Sequence, residues 1–244
     1  MSQRAKDLVK KALQMKPSPR DAFLYFDYIR HDQRRLEHLA SLNLPIAGAT
    51  VLEVGAGIGG HTSFFLDRGC RVLSTEARDD NLEVLRQRYS DLEVKPLDLD
   101  YPDTSIVEKF DIVYCYGLLY HLKEPAGAVE YMSSRCSKML LLETCVSLGN
   151  EASVNLCPEA QENLNQSVHG MGCRPTRPWV FNHLKNHFNF VYMPLTQPNH
   201  LEFPLDWTSP IETGHLMRSV FVASREQLDN SLLVTEIPML QRRH

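Results

Sequence analysis

A short apolar strand that runs into a glycine-rich turn constrains this chain more than any other feature. Residues 51–60 read Val-Leu-Glu-Val-Gly-Ala-Gly-Ile-Gly-Gly. Glycines let the backbone turn sharply, and they let a ligand lie directly against main-chain N–H groups. Open α/β sheets bind ligands at the carboxyl ends of their strands, so this turn stands where a ligand site is expected.

The chain around this turn alternates strands with helices. Strands are predicted at Thr50–Val54, Cys70–Glu76, Leu92–Leu97, Phe110–Gly117 and Met139–Val146, with helices between them. This order predicts a doubly wound, mostly parallel α/β sheet with right-handed crossovers. Two later strands, Phe190–Leu195 and Ser219–Ala223, predict an antiparallel last strand that completes seven strands in a Rossmann-like sheet.

The sequence divides into a cap, a domain and a tail. Apolar residues at helical spacing predict N-terminal helices over residues 1–45, which cap the ligand site. Residues 46–225 form the α/β domain, with substrate-facing insertions near 149–175 and 196–214. Long irregular connections often serve as lids or binding loops. Residues 226–244 are predicted to form a loosely held tail.

Composition narrows the function classes. The formal net charge is -4 and the pI is near 6.2, which argues against a nucleic-acid partner because phosphate contacts need a clustered positive surface. The six cysteines form no CxxC pair, so neither a zinc site nor a redox motif is indicated. No apolar stretch fits a signal peptide or a membrane span, so we expect a cytoplasmic protein without a membrane partner.

An acidic residue extends the ligand site. Glu76 ends the second strand 21 residues after Gly55, where a carboxylate can accept both ribose hydroxyls of an adenosine. Gly55, Gly57 and Gly60 also satisfy the dinucleotide fingerprint, so an NAD-dependent oxidoreductase remains an alternative. Glu53 counts against it, because a carboxylate two residues before the first glycine is poorly placed beside a pyrophosphate.

The segments of this region resemble class I S-adenosylmethionine-dependent methyltransferases. VLEVGAGIGG resembles their motif I, STEARDDNL the region whose acid holds the ribose, KPLDLD the adenine-contacting turn, and FDIVYCYGLLYHL motif IV with the stretch after it. The resemblance covers about residues 50–146. It implies a methyltransferase that uses S-adenosylmethionine and releases S-adenosylhomocysteine. The YGLLYHL stretch is similar to enzymes that modify tRNA wobble uridine and to bacterial methyltransferases found near glycan or natural-product genes.

The resemblance also implies which residues bind the cofactor. Gly55, Gly57 and Gly59 line the methionine and ribose side, Glu76 binds the ribose, Ala77 packs on the adenine, Asp98 and Leu99 bond the adenine, Tyr116 and Gly117 face the methionine portion, and Glu53 orients the methionine end. Each of these roles has a structural alternative, and Glu76 can be an ordinary exposed acid. Gly59 can serve packing between helix and strand, and Asp100 competes with Asp98 for the adenine.

Acceptor-side residues are predicted from their positions near the expected methyl group. His121 and His200 are the candidate general bases, and Tyr28, Tyr120, Phe203 and Trp207 are the candidate substrate contacts. Each has a structural alternative: His121 can orient the following helix, and the aromatic residues can pack in the core. The Tyr-Cys-Tyr-Gly sequence at 114–117 offers no carboxylate, so a metal-independent reaction is expected.

These features leave several function hypotheses. The first is a methyltransferase acting on an oxygen of a small molecule, namely a glycan or natural product, by in-line displacement. The second is transfer to a nitrogen or carboxylate of a peptide or other metabolite. The NAD-dependent oxidoreductase and a methyltransferase-like fold without activity are the wider alternatives.

Overall fold

The computed structural model describes residues 18–208 and 216–244. The first of the helices expected near the N-terminus therefore lies outside the described residues, as does the end of the insertion near 196–214. Within the described part, no helix combines the length and apolar character needed to cross a membrane.

Twelve strands and six α-helices make up the described chain. The strands are β1 (Thr50–Val54), β2 (Arg71–Glu76), β3 (Glu93–Pro96), β4 (Phe110–Tyr116), β5 (Cys136–Val146), β6 (Val154–Pro158), β7 (Met171–Pro175), β8 (Phe190–Pro194), β9 (Thr196–Gln197), β10 (Met217–Ser224), β11 (Leu233–Val234) and β12 (Arg242–Arg243). The helices are α1 (Pro19–Phe23), α2 (Phe26–Ser41), α3 (Thr62–Leu66), α4 (Asp79–Arg88), α5 (Pro125–Arg135) and α6 (Arg177–Lys185), with a 3₁₀ turn at Leu119–His121.

One large sheet carries the fold, in the strand order β11-β8-β10-β5-β4-β1-β2-β3. The strands from β3 to β5 pair in parallel, and β10 lies antiparallel between β5 and β8. This arrangement confirms the predicted doubly wound, mostly parallel sheet with its antiparallel strand. The described sheet has eight strands where seven were expected, because the short β11 pairs with β8 at the edge.

Both faces of the central strands are buried, which explains their nearly continuous apolar sequences. Along β4, Val113 and Cys115 point into one hydrophobic cluster, whereas Ile112, Tyr114 and Tyr116 point into the other. The strand alternation therefore places Tyr114 and Tyr116 on the same face as α2 and α3, which contribute Leu39 and Phe65 to that cluster.

Helix starts follow local capping chemistry. Ser18 and Asp21 form a capping box at the start of α1, and a proline occupies the first turn. Thr176 caps α6 by accepting a hydrogen bond from the Trp179 backbone N–H, as the sequence predicts. The helix ends at Lys185, three residues before the expected position.

Two segments differ from the sequence-based expectation. The insertion predicted near 149–175 contains β6 and β7, which form an antiparallel hairpin. The tail beyond residue 226 is not loosely held. Its β11 and β12 pair with β8 and β9, and Gln241 Oε1 accepts a hydrogen bond from Trp207 Nε1 at 2.9 Å.

Candidate functional site

A cavity of about 370 Å³ opens at the carboxyl ends of β1, β2 and β4. The glycine turn borders one side, and α1 and α2 close another. Residues 164–169, between β6 and β7, complete the wall. Nine of the ten predicted cofactor residues line this cavity: Glu53, Gly55, Gly57, Glu76, Ala77, Asp98, Leu99, Tyr116 and Gly117.

The glycine turn needs its glycines for both conformation and space. Gly55 and Gly57 have φ angles of +67° and +56°, a region that side chains with a Cβ rarely adopt. A Cβ on Gly55 would lie 2.7 Å from Leu118 Cδ2, and one on Gly57 would lie 2.9 Å from Phe23 Cε1. The backbone of the turn therefore borders the cavity directly, and any residue larger than glycine at these two positions would clash with its neighbours.

Gly59 is the predicted cofactor residue that does not line the cavity. A Cβ there would meet the Tyr89 ring at 2.6 Å and Leu85 Cδ1 at 2.7 Å, and the Tyr89 hydroxyl donates to the Gly59 carbonyl at 2.9 Å. Its small size serves the packing of the turn against α4, which is the alternative that the sequence left open for Gly59. The neighbouring Gly60 borders the cavity in its place.

Glu76 ties the glycine turn to the end of β2. Its Oε2 accepts the Gly57 backbone N–H at 2.8 Å, and its Oε1 accepts those of Ala77 and Arg78, each at 3.0 Å. Burial raises the pKa of this carboxyl, and the three backbone donors oppose the shift. The carboxylate therefore faces the cavity in a fixed orientation, with one lone pair of Oε2 left for hydroxyl donors.

Glu53 is buried behind the turn. Its Oε2 accepts the hydroxyls of Thr62 and Ser74 at 2.7 and 2.5 Å, and burial raises its pKa. These partners match an orienting role better than direct ion pairing with a ligand.

Asp98 and Asp100 both border the cavity, with different partners. Asp100 Oδ1 accepts the backbone N–H groups of Lys123 and Glu124, which start α5. Asp98 Oδ2 lies 2.6 Å from His169 Nε2. Asp100 therefore has a structural role at the helix start, which leaves Asp98 as the better candidate for the adenine.

Helix α2 adds charged residues that the sequence reasoning did not assign to the site. Asp32 and Arg35 line the cavity and form an ion pair with each other, and Asp32 Oδ1 lies 3.3 Å from His61 Nε2. Burial raises the pKa of Asp32, but its interactions with His61 and Arg35 outweigh burial and bring the pKa to about 2. Asp32 is therefore an anion at neutral pH, placed beside Gly60.

A buried charge network continues from Arg35 into the sheet. Arg35 Nη1 donates to Glu143 Oε2 at 3.0 Å, and Arg218 Nη1 donates to Glu143 Oε1 at 3.1 Å. Arg218 Nε also donates to Glu202 Oε2 at 2.5 Å. Glu143 lies within the apolar sequence of β5. A charged residue in such a buried strand is the sequence signal that predicts a buried charge network.

A second cavity of about 230 Å³ adjoins the first. Tyr28 and His121 line both cavities. The second wall combines the carboxylates of Asp27, Glu159 and Glu202, the guanidinium groups of Arg174 and Arg218, the imidazoles of His31, His121 and His200, and the rings of Tyr25, Tyr28 and Tyr120. Hydrogen-bond donors, acceptors and aromatic faces are therefore mixed over a small volume.

His121 lies where the two cavities meet. Its Nδ1 is 2.5 Å from Glu159 Oε2, a partner that the sequence reasoning missed. Burial lowers the pKa of His121, and the hydrogen bond that it donates to Glu159 opposes this shift. The pKa of Glu159 is also lowered, because the His121 hydrogen bond outweighs the raising effect of burial. At neutral pH the pair is therefore a neutral imidazole beside a carboxylate.

His200 lies farther from the first cavity. Its ring packs 4.7 Å from that of His31, and its Nδ1 accepts the Glu202 backbone N–H at 3.3 Å. His31, His200 and Glu202 stand close enough to share a metal ion. Glu202 is already paired with Arg218, whose positive charge disfavours a cation there.

Two of the four predicted substrate contacts belong to the core. Phe203 is fully buried in a hydrophobic cluster, and Trp207 is buried beneath Arg177, whose guanidinium lies 3.8 Å from the ring centroid. The substrate roles expected for Phe203 and Trp207 are therefore wrong, because their loop packs inward. Tyr28 and Tyr120 do line the second cavity.

Comparison with known proteins places this geometry in context. A family model described as a methyltransferase domain matches residues 52–138. Ribosomal RNA small subunit methyltransferase A of Anaeromyxobacter sp. (strain K) is 36% identical over 108 residues, which cover 38% of this chain and 37% of that protein. tRNA U34 carboxymethyltransferase of Actinobacillus succinogenes is 31% identical over 129 residues, which cover 50% of this chain and 39% of that protein. The chain thus spans less than half the length of these relatives.

Solved structures resemble the chain over a larger part of its length. The N-terminal domain of EvdMO1, solved in the presence of SAH and D-fucose, has a TM-score of 0.60 at 20% identity and covers 92% of this chain and 97% of that chain. Magnesium protoporphyrin IX methyltransferase from Synechocystis PCC 6803, with bound SAM, has a TM-score of 0.52 at 13% identity. The match covers 82% of this chain and 80% of that chain. These likenesses confirm the predicted fold.

Proposed function

We propose that the chain is a class I S-adenosylmethionine-dependent methyltransferase, and that it methylates a hydroxyl oxygen of a small polar molecule with His121 as general base. One observation carries the proposal: His121 lies at the junction of the cofactor cavity and a second, polar cavity, with its Nδ1 held by a carboxylate. S-adenosylmethionine, the cofactor of this superfamily, supplies an electrophilic methyl group on a sulfonium.

The nucleoside end of the cofactor fits the residues at the ends of β1 to β3. Gly55 and Gly57 leave room for a ligand against the backbone, and the fixed carboxylate of Glu76 accepts the ribose hydroxyls. Asp98 accepts the adenine amino group, and Ala77 packs on the ring. Since these residues all border one cavity, a single adenosine can reach them together.

The amino-acid end of the cofactor fits the charges of α2. Asp32 is anionic and suits an ammonium group, whereas Arg35 suits a carboxylate and has a buried Nε without a hydrogen-bond partner in the described chain. The Tyr116 hydroxyl is also buried, borders the cavity and has no such partner among the described residues. Unsatisfied buried polar atoms are costly, which favours a polar ligand beside them.

The acceptor occupies the second cavity in this proposal. Asp27 and Glu202 there accept hydrogen bonds from hydroxyl groups, Arg174 and Arg218 donate hydrogen bonds to hydroxyl oxygens, and tyrosine rings cover apolar faces of the acceptor. This mixture suits a polyhydroxylated molecule about the size of one sugar ring. The EvdMO1 N-terminal domain, which was solved with D-fucose present, supports an acceptor of this kind.

The proton of the acceptor hydroxyl passes to His121. Nδ1 donates its hydrogen to Glu159, so the lone pair of Nε2 is free to take the proton as the new methyl–oxygen bond forms. The lowered pKa keeps this nitrogen unprotonated at neutral pH. A carboxylate acceptor would need no base, so the histidine–carboxylate pair favours an alcohol over the carboxyl acceptor considered from the sequence.

Calorimetric titration tests the cofactor assignment first. S-adenosylhomocysteine and, separately, NADH are titrated into the wild type and into Glu76→Ala. We expect the wild type to bind S-adenosylhomocysteine alone, and the substitution to weaken that binding. Binding of NADH alone would overturn the proposal in favour of the oxidoreductase alternative.

Tritiated S-adenosylmethionine then tests the acceptor. The wild type is incubated with neutral methyl glycosides, with uronic acids and with amino acids, and the products are identified by mass. We expect methyl ethers of neutral glycosides. Methyl esters alone would identify a carboxylate as the acceptor, and N-methyl products alone would identify a nitrogen. Either result would overturn the hydroxyl acceptor.

A further inference from the structure

Residues 159–170, which we term the covering segment, join β6 to β7 and lie over the cofactor cavity. Arg78 Nη2, which follows Glu76 in the chain, donates to the carbonyls of Gln161, Gln166 and Ser167 at 2.9, 3.1 and 2.9 Å. One guanidinium group therefore gathers three carbonyls of the segment into a compact turn at the cavity.

Two further bonds attach the covering segment to the cofactor side. Asn81 Nδ2 of α4 donates to the Leu164 carbonyl at 3.0 Å, and His169 Nε2 lies 2.6 Å from Asp98 Oδ2. The residues expected to hold the adenosine, or their direct neighbours, are thus the anchors of the segment.

The first residue of the covering segment reaches the general base. Glu159 Oε2 accepts both His121 Nδ1 at 2.5 Å and the Ser167 backbone N–H at 2.8 Å, while Oε1 accepts Arg174 Nη1 and Nη2, each at 3.3 Å. The Glu159 side chain is only 5% exposed. One carboxylate therefore joins the fold of the segment to the orientation of the imidazole.

We propose that Glu159 is the positioning residue of His121, and that closure of the covering segment over the cofactor sets this contact. The inference rests on the proposed function, because it concerns the base of that reaction. The bond from Nδ1 to Glu159 fixes the tautomer in which Nε2 lacks a hydrogen. When Nε2 takes the acceptor proton, the resulting imidazolium is stabilised by Glu159, which stays ionised.

The charges that face His121 make this role measurable. Glu159 raises the pKa of His121, whereas Arg174 on β7 and Arg218 on β10 lower it. Tyr120 packs its ring 4.0 Å from the imidazole, and His200 and Glu202 line the same cavity. Removal of the Glu159 charge must therefore lower the pKa of His121 further, and removal of the Arg174 charge must raise it.

The experiment follows the His121 ring by NMR titration in Glu159→Gln, Arg174→Gln and Glu162→Gln, with S-adenosylhomocysteine bound. Glu162 is exposed on the same segment and serves as the matched control. We expect Glu159→Gln to lower the His121 pKa, Arg174→Gln to raise it, and Glu162→Gln to leave it unchanged. An unchanged pKa in Glu159→Gln, with the ligand still bound, would overturn the positioning role.

Closure is tested by comparing the free and bound wild type with Arg78→Gln. In the wild type, S-adenosylhomocysteine should slow hydrogen exchange at the Ser167 amide and raise the His121 pKa. In Arg78→Gln both responses should shrink. If the His121 pKa of the wild type does not change on binding of S-adenosylhomocysteine, closure of the covering segment does not set the contact with Glu159. If the wild type does not bind S-adenosylhomocysteine at all, the proposed function itself is refuted.

Discussion

Arg35 and Glu143 form a buried ion pair, 3.0 Å between Nη1 and Oε2, that joins α2 to the central strand β5. The second oxygen of Glu143 pairs with Arg218 of β10, so one carboxylate bridges two guanidinium groups. Burial raises the pKa of Glu143, but Arg218 and Arg35 outweigh it and hold the pKa below its ordinary range. The pair connects the cofactor cavity with the acceptor cavity.

The first prediction concerns this pair. Glu143→Gln should lower the free energy of unfolding by about 3–5 kcal/mol, because it breaks two buried ion pairs and leaves Arg35 with Asp32 alone and Arg218 with Glu202 alone as carboxylate partner. Urea denaturation followed by circular dichroism measures the effect. Glu37→Gln removes one partner of the more exposed Arg34–Glu37 pair and should cost less than about 1 kcal/mol. Equal losses in the two variants would contradict the prediction.

The glycine turn supplies the second prediction. Gly55→Ala and Gly69→Ala place a Cβ at φ angles of +67° and +68°, so both should cost about 1–2 kcal/mol in backbone strain. Only at Gly55 does the new Cβ meet Leu118, because nothing lies within 4 Å of Gly69. Calorimetry should therefore show weaker S-adenosylhomocysteine binding in Gly55→Ala alone. Equal affinity in both variants would show that the turn tolerates the added methyl group.

Glu76 provides the third prediction. In Glu76→Gln one acceptor oxygen becomes an NH₂ group, which must face a backbone N–H donor of Gly57 or of Ala77 and Arg78. We expect S-adenosylhomocysteine affinity to fall about 10- to 100-fold, the loss typical of a hydrogen bond to a charged group. Glu93→Gln, an exposed change on β3, is the control. An affinity equal to that of the control would remove Glu76 from the ribose site.

The fourth prediction is the pH dependence of methyl transfer. The neutral form of His121 is the active base, and burial lowers its pKa below the ordinary value of 6.5. The acid limb of the pH–rate profile should therefore have its midpoint below pH 6.5, where His121 gains a proton. His121→Asn should reduce kcat about 100- to 10,000-fold and remove this acid limb. The control variant His183→Gln on α6 should keep the wild-type kcat and the acid limb. An acid limb that survives in His121→Asn would show that His121 is not the general base.

Trp207 carries the fifth prediction. Trp207→Phe removes the indole N–H that Gln241 Oε1 accepts and leaves a void in the core, so it should cost about 1–3 kcal/mol in the free energy of unfolding. Trp179→Phe removes the other tryptophan, which is only partly buried against His183, and should cost less. The remaining tryptophan reports unfolding by fluorescence in each variant. A smaller loss in Trp207→Phe than in Trp179→Phe would support the loosely held tail that the sequence predicts.

The sequence predicts best where burial imposes a pattern. The strands β1, β4 and β5 are buried on both faces, and their apolar runs locate them to within a few residues. The β6–β7 hairpin escaped prediction because β6 is largely exposed and lacks such a pattern. Glu159 follows β6, and only the hairpin brings it to His121, 38 positions earlier in the chain. No local signal in the sequence marks this pairing.

Aromatic residues after β9 illustrate the opposite error. Phe203 and Trp207 stand in a loop rich in proline, where sequence alone cannot tell inward packing from contact with a substrate. Tertiary contacts decide the matter: Arg243 donates to the Phe203 carbonyl at 2.8 Å and to Pro198 at 2.6 Å, which fixes the loop against β12. The polar composition of the tail does not predict that it fixes this loop, because hydrogen bonds rather than apolar burial hold the tail in place.

The position of β10 has a consequence for synthesis on the ribosome. β10 is the last long strand to emerge, yet it stands between β5 and β8. Until it leaves the exit tunnel, those two strands expose unpaired edges, which invite aggregation or chaperone binding. We therefore expect nascent chains that stop before residue 217 to depend on chaperones. Because the same strand brings Arg218, they should also lack a complete acceptor cavity.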